Sequence, residues 1–206
     1  MPNKERLLLV EGQDDRHFVK QFWDKHYEGN GSKPLFYKGK KRPFDIETLE
    51  GIENLCKSIP TQITTSDREV LGILADANSD LLKRWKMISC KIKEAVELSG
   101  ESKQLQINPN DIPDAPEPTG TIINSKPRIG IWLMPCNKLP GELEDFAVTM
   151  VPRDDPIWPS SRQYITDIPQ QNRKFDEKKS QRLSCSPGLQ QGNPLDAWGQ
   201  RSALAI

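Results

Sequence analysis

Three short, unbroken apolar runs divide the chain, and acidic or amide side chains follow each of them. The runs cover residues 7–10, 70–75 and 129–134. A continuous apolar run of this length is typical of a strand that is buried on both faces, as in a parallel sheet. Gly12, just after the first run, permits a sharp turn into the next element. The pattern therefore predicts a core built on three buried strands.

Segments with helical periodicity separate these runs. Apolar residues recur at spacings of three and four over residues 14–27 and 45–58, from Asp80 onward, and from Leu143 to Met150. Residues 160–167 are predicted as a further short helix. In the helix that begins at Asp80, Trp85 and Ile88 are expected to face inward and the basic residues, Arg84 included, to face outward. Pro60 is expected to end the helix over 45–58.

Strands that alternate with helices imply right-handed crossovers. The fold class that follows is α/β, a three-layer Rossmann-like domain in which helices flank a mainly parallel sheet. Residues 34–37 are predicted as a further short strand. Residues 99–127 form an irregular, proline-rich insertion with one extended piece at 121–123, and such long loops are often lids or binding loops. The domain is predicted over residues 1–168, followed by a poorly patterned tail over 169–206.

Composition narrows the class of protein. The 206 residues carry 29 basic and 29 acidic side chains, so nucleic-acid binding would have to rest on a local patch. Four scattered cysteines and two histidines argue against a zinc site or a disulfide framework. We find no signal peptide and no apolar stretch of membrane length, and we predict a cytoplasmic protein with no membrane partner.

The acidic residues that follow the three strands are the candidate functional residues. Carboxyl ends of parallel strands lie at one edge of a sheet, so Glu11, Asp76 and the pair Glu144/Asp145 are expected to converge. Several carboxylates in one site repel each other, and a divalent cation relieves that repulsion. Oxygen ligands without His or Cys favour Mg²⁺ or Mn²⁺. Asp15, four residues after Glu11, is placed to share the cation.

Several of these residues have an equally simple structural interpretation. Acids in the first turn of a helix complement its dipole, which applies to Asp15 and to Glu142. Asp80 is as well explained as a helix N-cap as it is as a ligand. The basic run Lys38, Lys40, Lys41 and Arg42 is either a solvated loop or a phosphate-contacting patch, and Lys138, after the third strand, is assigned to the same patch.

The motifs at the strand ends resemble those of the Toprim domain, which occurs in topoisomerases, bacterial primases, ribonuclease maturases and overcoming-lysogenization-defect (OLD) family nucleases. The likeness rests on Val10-Glu11-Gly12 after the first strand and on Ala75-Asp76-x-Asn78 after a later one. The spacing from Glu11 to Asp15 is similar to that of an extra acid in OLD-type nucleases. Residues 140–146, Pro-Gly-x-Leu-Glu-Asp-Phe, resemble small uncharacterised Toprim-related bacterial proteins. The resemblance covers residues 5–150.

The resemblance implies a role for each matching position. Glu11 would be a metal ligand or general acid/base, and Asp76 the first metal-binding aspartate. Asn78 stands where the pattern usually has a second aspartate, so it offers an oxygen without a charge, and Asp80 is the candidate to compensate. A lone Toprim unit without the tyrosine nucleophile of a topoisomerase fits a nuclease-like role.

Three hypotheses follow. The first is Mg²⁺-dependent phosphodiester chemistry on DNA or RNA, with a partner ATPase or a homo-oligomer left open. The second is a binding or regulatory module that keeps the fold and has weak or no catalysis. The third, a receiver-like phospho-acceptor domain, is disfavoured because Glu11-Gly12 separates the first strand from Asp14 and Asp15.

Overall fold

A five-stranded, mainly parallel sheet forms the centre of the molecule. The computed structural model describes residues 5–28, 43–65, 68–99, 105, 107–152 and 154–172. The strands are β1 (Arg6–Val10), β2 (Asp45–Thr48), β3 (Val70–Asp76), β4 (Thr121–Ile123) and β5 (Arg128–Met134). The helices are α1 (Gln13–Glu28), α2 (Ile52–Thr64), α3 (Leu81–Ser99), α4 (Leu143–Thr149) and α5 (Trp158–Asp167), with 3-10 turns at Pro109–Asp111 and Gln170–Asn172.

The strand order is β2-β1-β3-β5-β4, and only the last pair is antiparallel. In the parallel register Val10 lies beside Leu74, and Asp76 lies beside Met134. The carboxyl ends of β1, β3 and β5 therefore meet at one edge of the sheet. The predicted α/β class is confirmed, as is the extended piece at 121–123, which is β4.

Both faces of the sheet are covered, because successive residues of each strand alternate between two cores. On one face Leu7 and Leu9 pack with the buried residues of α2 and α3. On the other face Leu8 and Val10 pack with Phe146 of α4 and with the apolar side of α1. This two-sided burial explains why the strands have unbroken apolar sequences.

The prediction of a helix over residues 45–58 is wrong at both ends. Residues Asp45–Thr48 form the edge strand β2, which pairs in parallel with β1. Glu50 and Gly51 then have positive φ values of 53° and 112°. These two residues form a turn that changes the direction of the chain before α2 begins at Ile52. Pro60 lies inside α2, which continues to Thr64. Proline has no backbone N–H and therefore removes one hydrogen bond from the helix. Burial of one side of α2 compensates for this loss.

The described part of the proline-rich insertion is anchored to α3. Ile107 and Ile112 belong to the core on that face of the sheet. The indole Nε1 of the buried Trp85 donates a hydrogen bond to the Pro113 carbonyl at 2.9 Å. These contacts make the segment part of the fold.

Some predictions fall outside the residues that the structure describes. They include the strand at 34–37, the basic run at 38–42 and the tail beyond residue 172. Across the described helices, none combines the length and the apolar character that crossing a bilayer requires.

The turn before α4 is closely packed around Gly141. The side chain of Asp145 accepts a hydrogen bond from the Glu142 backbone N–H at 2.8 Å, which forms a capping box at the start of α4. Gly141 has φ +151°, and a Cβ at this position would lie 2.7 Å from Asp145 Oδ2 and 2.8 Å from Pro135 Cδ. A side chain is therefore excluded here by space as well as by backbone conformation.

We expect Gly141→Ala to destabilise the protein more than Gly51→Ala does. Gly51 also has a positive φ, +112°, but a Cβ there meets nothing within 4 Å. Gly51→Ala therefore measures backbone strain alone, about 1–3 kcal/mol, and the clash at Gly141 adds about 1–3 kcal/mol. Urea denaturation of both variants is the measurement, and equal losses of stability would contradict the packing described here.

Candidate functional site

The acids that end β1 and β3 are in direct contact. Glu11 Oε1 accepts a hydrogen bond from the backbone N–H of Asp76 at 3.0 Å. The Glu11 carbonyl accepts from the Gly51 N–H at 2.9 Å, so the turn before α2 holds the backbone of Glu11 in place. Two of the predicted residues, 65 positions apart in the chain, are thus brought together.

The third strand end joins them through the segment that leads to α4. Asp76 Oδ1 accepts a hydrogen bond at 3.0 Å from the N–H of Leu143, the first residue of α4. The backbone N–H of Asn78 donates to the Gly141 carbonyl at 2.7 Å. Asp76 is therefore connected to both neighbouring strand ends, and its carboxylate has only limited contact with solvent.

The side chain of Asn78 lies between the Glu142 carboxylate and the Arg84 guanidinium. Its backbone has φ 53°, a left-handed conformation that asparagine adopts more readily than most residues. In the amide orientation that satisfies both neighbours, its nitrogen donates to Glu142 Oε1 at 3.0 Å and its oxygen accepts from Arg84. The Arg84 guanidinium also lies 3.9 Å from Glu11 Oε1.

The prediction that Arg84 faces outward is wrong, because its side chain is 9% exposed beside Glu11. The sequence contained a signal for this position. Arg84 precedes Ile88 and Ile92 by four and eight residues, so it continues the buried side of α3 toward the sheet edge. Glu142, for which the sequence favours a helix-terminus role, also has its carboxylate in contact with Asn78.

Burial and mutual repulsion shift the acids of this edge toward their protonated forms. The pKa of Asp76 is raised to about 8, and burial is the largest cause. Neighbouring carboxylates add to the increase, in decreasing order those of Asp15, Glu11, Glu142 and Glu144. Burial also raises the pKa of Glu11, and the Arg84 guanidinium opposes that rise. The pKa of Asp15 is raised by burial and by the charges of Asp14 and Glu144, against a hydrogen bond from the Gly12 N–H.

Three predicted ligands have a local structural role. Asp80 is exposed, and its Oδ1 accepts from the Lys83 N–H at 2.9 Å, which caps α3. Asp145 is engaged in the capping box of α4. Asp15 is 7% exposed and its Oδ2 accepts from the Gly12 N–H at 2.8 Å, so it fixes the turn after β1 while its charge still acts on Asp76.

The remaining candidates lie at the periphery. Glu144 is exposed, and its charge contributes to the raised pKa of Asp76. Lys138 is exposed in the turn after β5, while Lys38, Lys40, Lys41 and Arg42 are outside the described residues. Within the described ranges, no three Asp, Glu, His or Cys side chains form a group that could hold a metal ion. The acids are near one another without forming a complete protein cage.

We expect the stability of the protein to fall as pH rises from about 4 to 8 and this fall to be reduced in Asp76→Asn. The unfolded carboxyl ionises near 3.8 and the folded one near 8, so over this interval the folded state binds the extra proton. One such group changes the free energy of unfolding by up to about 1.4 kcal/mol per pH unit. Asparagine keeps the acceptor for Leu143 and removes the titration.

Urea denaturation in a chelator across this pH range measures the effect. Asp80→Asn is the matched control, because asparagine caps a helix as well as aspartate does. Parallel stability curves for the wild type and Asp76→Asn would show that Asp76 ionises normally in the folded protein.

Comparison with known proteins identifies a family and adds no activity. No curated protein and no solved structure matches the chain. One protein family does match, over residues 5–183, a range that includes the sheet and every acid of the site. The chain therefore belongs to the family described as "Protein of unknown function (DUF3226)".

Proposed function

We propose that this protein carries out metal-dependent phosphodiester hydrolysis on nucleic acid at the edge where β1, β3 and β5 end. The observation that carries the proposal is the environment of Asp76. This carboxyl ends the central strand, has a pKa of about 8 and is repelled by the charges of four further carboxylates. Such an excess of negative charge in a half-buried site is relieved by a divalent cation.

The donor set suits Mg²⁺ or Mn²⁺. The side chains at the edge offer carboxylate and amide oxygens, the ligands that these cations prefer. Mg²⁺ is usually held by one or two protein carboxylates and keeps waters and substrate phosphates as its other ligands. A site of this kind does not require three protein ligands in one group, and none exists among the described residues. Glu11 and Asp76 would hold the cation, with Asp15 and Glu144 contributing charge.

A bound cation of this class activates water and stabilises a leaving oxygen. The chain itself positions Glu11, whose Oε1 is fixed by the Asp76 N–H and by Arg84. The alternative role for Glu11 is that of a general acid or base with the cation held by Asp76, and a pKa raised by burial suits that role. The Arg84 guanidinium provides donors of the geometry that phosphate oxygens accept.

The resemblance to Toprim domains supports the same assignment. The two motifs that carry it, at Glu11 and at Asp76, lie at the carboxyl ends of β1 and β3, which are adjacent parallel strands. Asp80 and Asp145, which were candidates for ligands, have helix-capping roles and are left out of the proposed site.

We expect Glu11→Gln to lower metal-dependent cleavage by about 10²-fold or more, the usual contribution of a positioned acid or base. Glutamine keeps an acceptor for the Asp76 N–H, so the fold should be preserved. Cleavage of end-labelled DNA and RNA with Mg²⁺ and with Mn²⁺ is the measurement. Glu97→Gln, at an exposed site late in α3, is the matched control. Cleavage by Glu11→Gln at the wild-type rate would refute the role of Glu11.

The position of Arg84 favours a second candidate function, a nucleic-acid-binding or regulatory module with weak or no catalysis. Its buried guanidinium contacts both Glu11 and Asn78 and so already balances part of the negative charge. Calorimetric titration with Mn²⁺ distinguishes the two functions. Absence of binding in the millimolar range, in a protein that still binds nucleic acid, would favour the second function over hydrolysis.

A further inference from the structure

Helix α3 carries an excess of positive charge, although the chain as a whole has a formal net charge of zero. Its 19 residues include five basic and two acidic side chains, whereas the whole chain has 29 of each. One of the basic residues, Arg84, is buried at the site, and Lys91 pairs with Glu94. The other three are Lys83, Lys86 and Lys93, which we call the lysine stripe.

The lysine stripe lies on the side of α3 that faces away from the core. At about 100° per residue, its three members fall within roughly 80° of the helix circumference. Trp85, Ile88 and Ile92 are buried on the opposite side. Lys83 and Lys86 are exposed and Lys93 is half-buried. In the parts of the chain that the structure describes, none of the three forms an ion pair, so their charges face solvent.

The stripe begins at the candidate site and leads away from it. Lys83 adjoins Arg84, whose guanidinium lies beside Glu11. At about 1.5 Å per residue, Lys83 and Lys93 are separated by about 15 Å along the helix axis. That length corresponds to roughly four phosphate steps of a duplex strand, which rises about 3.4 Å per step.

We propose that the lysine stripe binds the phosphate backbone of the nucleic acid whose phosphodiester reaches the acidic edge. This inference rests on the proposed function and adds to it the surface along which the substrate lies. An acidic edge repels a polyanion, so a binding surface next to it needs positive charge that is free to pair. The stripe provides that charge at a fixed spacing on a rigid helix.

An anionic membrane is a less suitable partner for the same charges. A helix that lies on a membrane inserts an apolar face beneath its basic one. The apolar side of α3 is in the core of the protein, where Trp85, Ile88 and Ile92 are at most 1% exposed.

The test is the salt dependence of binding to a fluorescein-labelled duplex, measured by anisotropy in a chelator, where cleavage is suppressed. We expect Lys86→Gln/Lys93→Gln to reduce the slope of log K against log salt by about 1.8, since each lost phosphate contact on a duplex contributes about 0.9. Lys83 is retained so that the side chain next to Arg84, which lies beside Glu11, stays unchanged.

The matched control, Lys20→Gln/Lys126→Gln, also removes two charges. Lys20 is on α1, across the sheet, and Lys126 lies two residues before β5, at the opposite end of the strands. We expect this control to keep the wild-type slope. Equal slopes for the two double variants would refute phosphate binding by the lysine stripe, and the proposed function would be unaffected.

Two further outcomes are decisive. A wild-type protein that neither binds nor cleaves nucleic acid would overturn both proposals. Binding to phosphatidylserine vesicles that is lost in Lys86→Gln/Lys93→Gln, with duplex binding unaffected, would overturn the stripe in favour of a membrane surface.

Discussion

The hydrogen bonds around Asp76 are the interactions on which the arrangement of the site depends. Its backbone N–H donates to the Glu11 side chain, and its own side chain accepts from the first N–H of α4. These two bonds join segments that are 65 and 67 residues apart in the chain. The parallel sheet brings the strand ends to one edge, and the bonds at Asp76 then fix the side chains relative to one another. Glu11, Asp76 and Asn78 are therefore parts of one connected unit.

That unit concentrates negative charge where water has limited access, which opposes folding in the absence of a compensating cation. Two kinds of group offset the repulsion. Backbone N–H groups donate to Glu11, Asp15 and Asp76, and such donors favour the ionised form. Arg84 contributes a full positive charge from the buried side of α3. The compensation is partial, since the pKa of Asp76 still lies near 8.

The sequence predicted the sheet well because strands buried on both faces leave unbroken apolar runs, as in residues 70–75. It failed at Asp45–Thr48, where a four-residue edge strand leads into α2 and the combined apolar spacing imitates one longer helix. The convergence of Glu11 and Asp76 followed from topology alone. The roles of Asp80 and Asp145 could not be decided, because the residue types that cap helices are also those that bind Mg²⁺. The burial of Arg84 was not predicted because a charged side chain was assumed to face solvent. Its spacing to Ile88 and Ile92 nevertheless placed it on the buried side of α3.

The left-handed backbone at Asn78 has an evolutionary consequence. Asparagine and aspartate are both enriched in this conformation among residues other than glycine. An exchange between the two at this position would change the charge of the site by one unit while the turn and its bond to Gly141 stayed as they are. Arg84 already contacts the side chain and would offset the added charge, whereas Glu142 would lose the donor that the asparagine nitrogen provides. Relatives of this protein can therefore gain or lose a charge at this edge of the sheet through a single substitution, without rebuilding the loop that carries it.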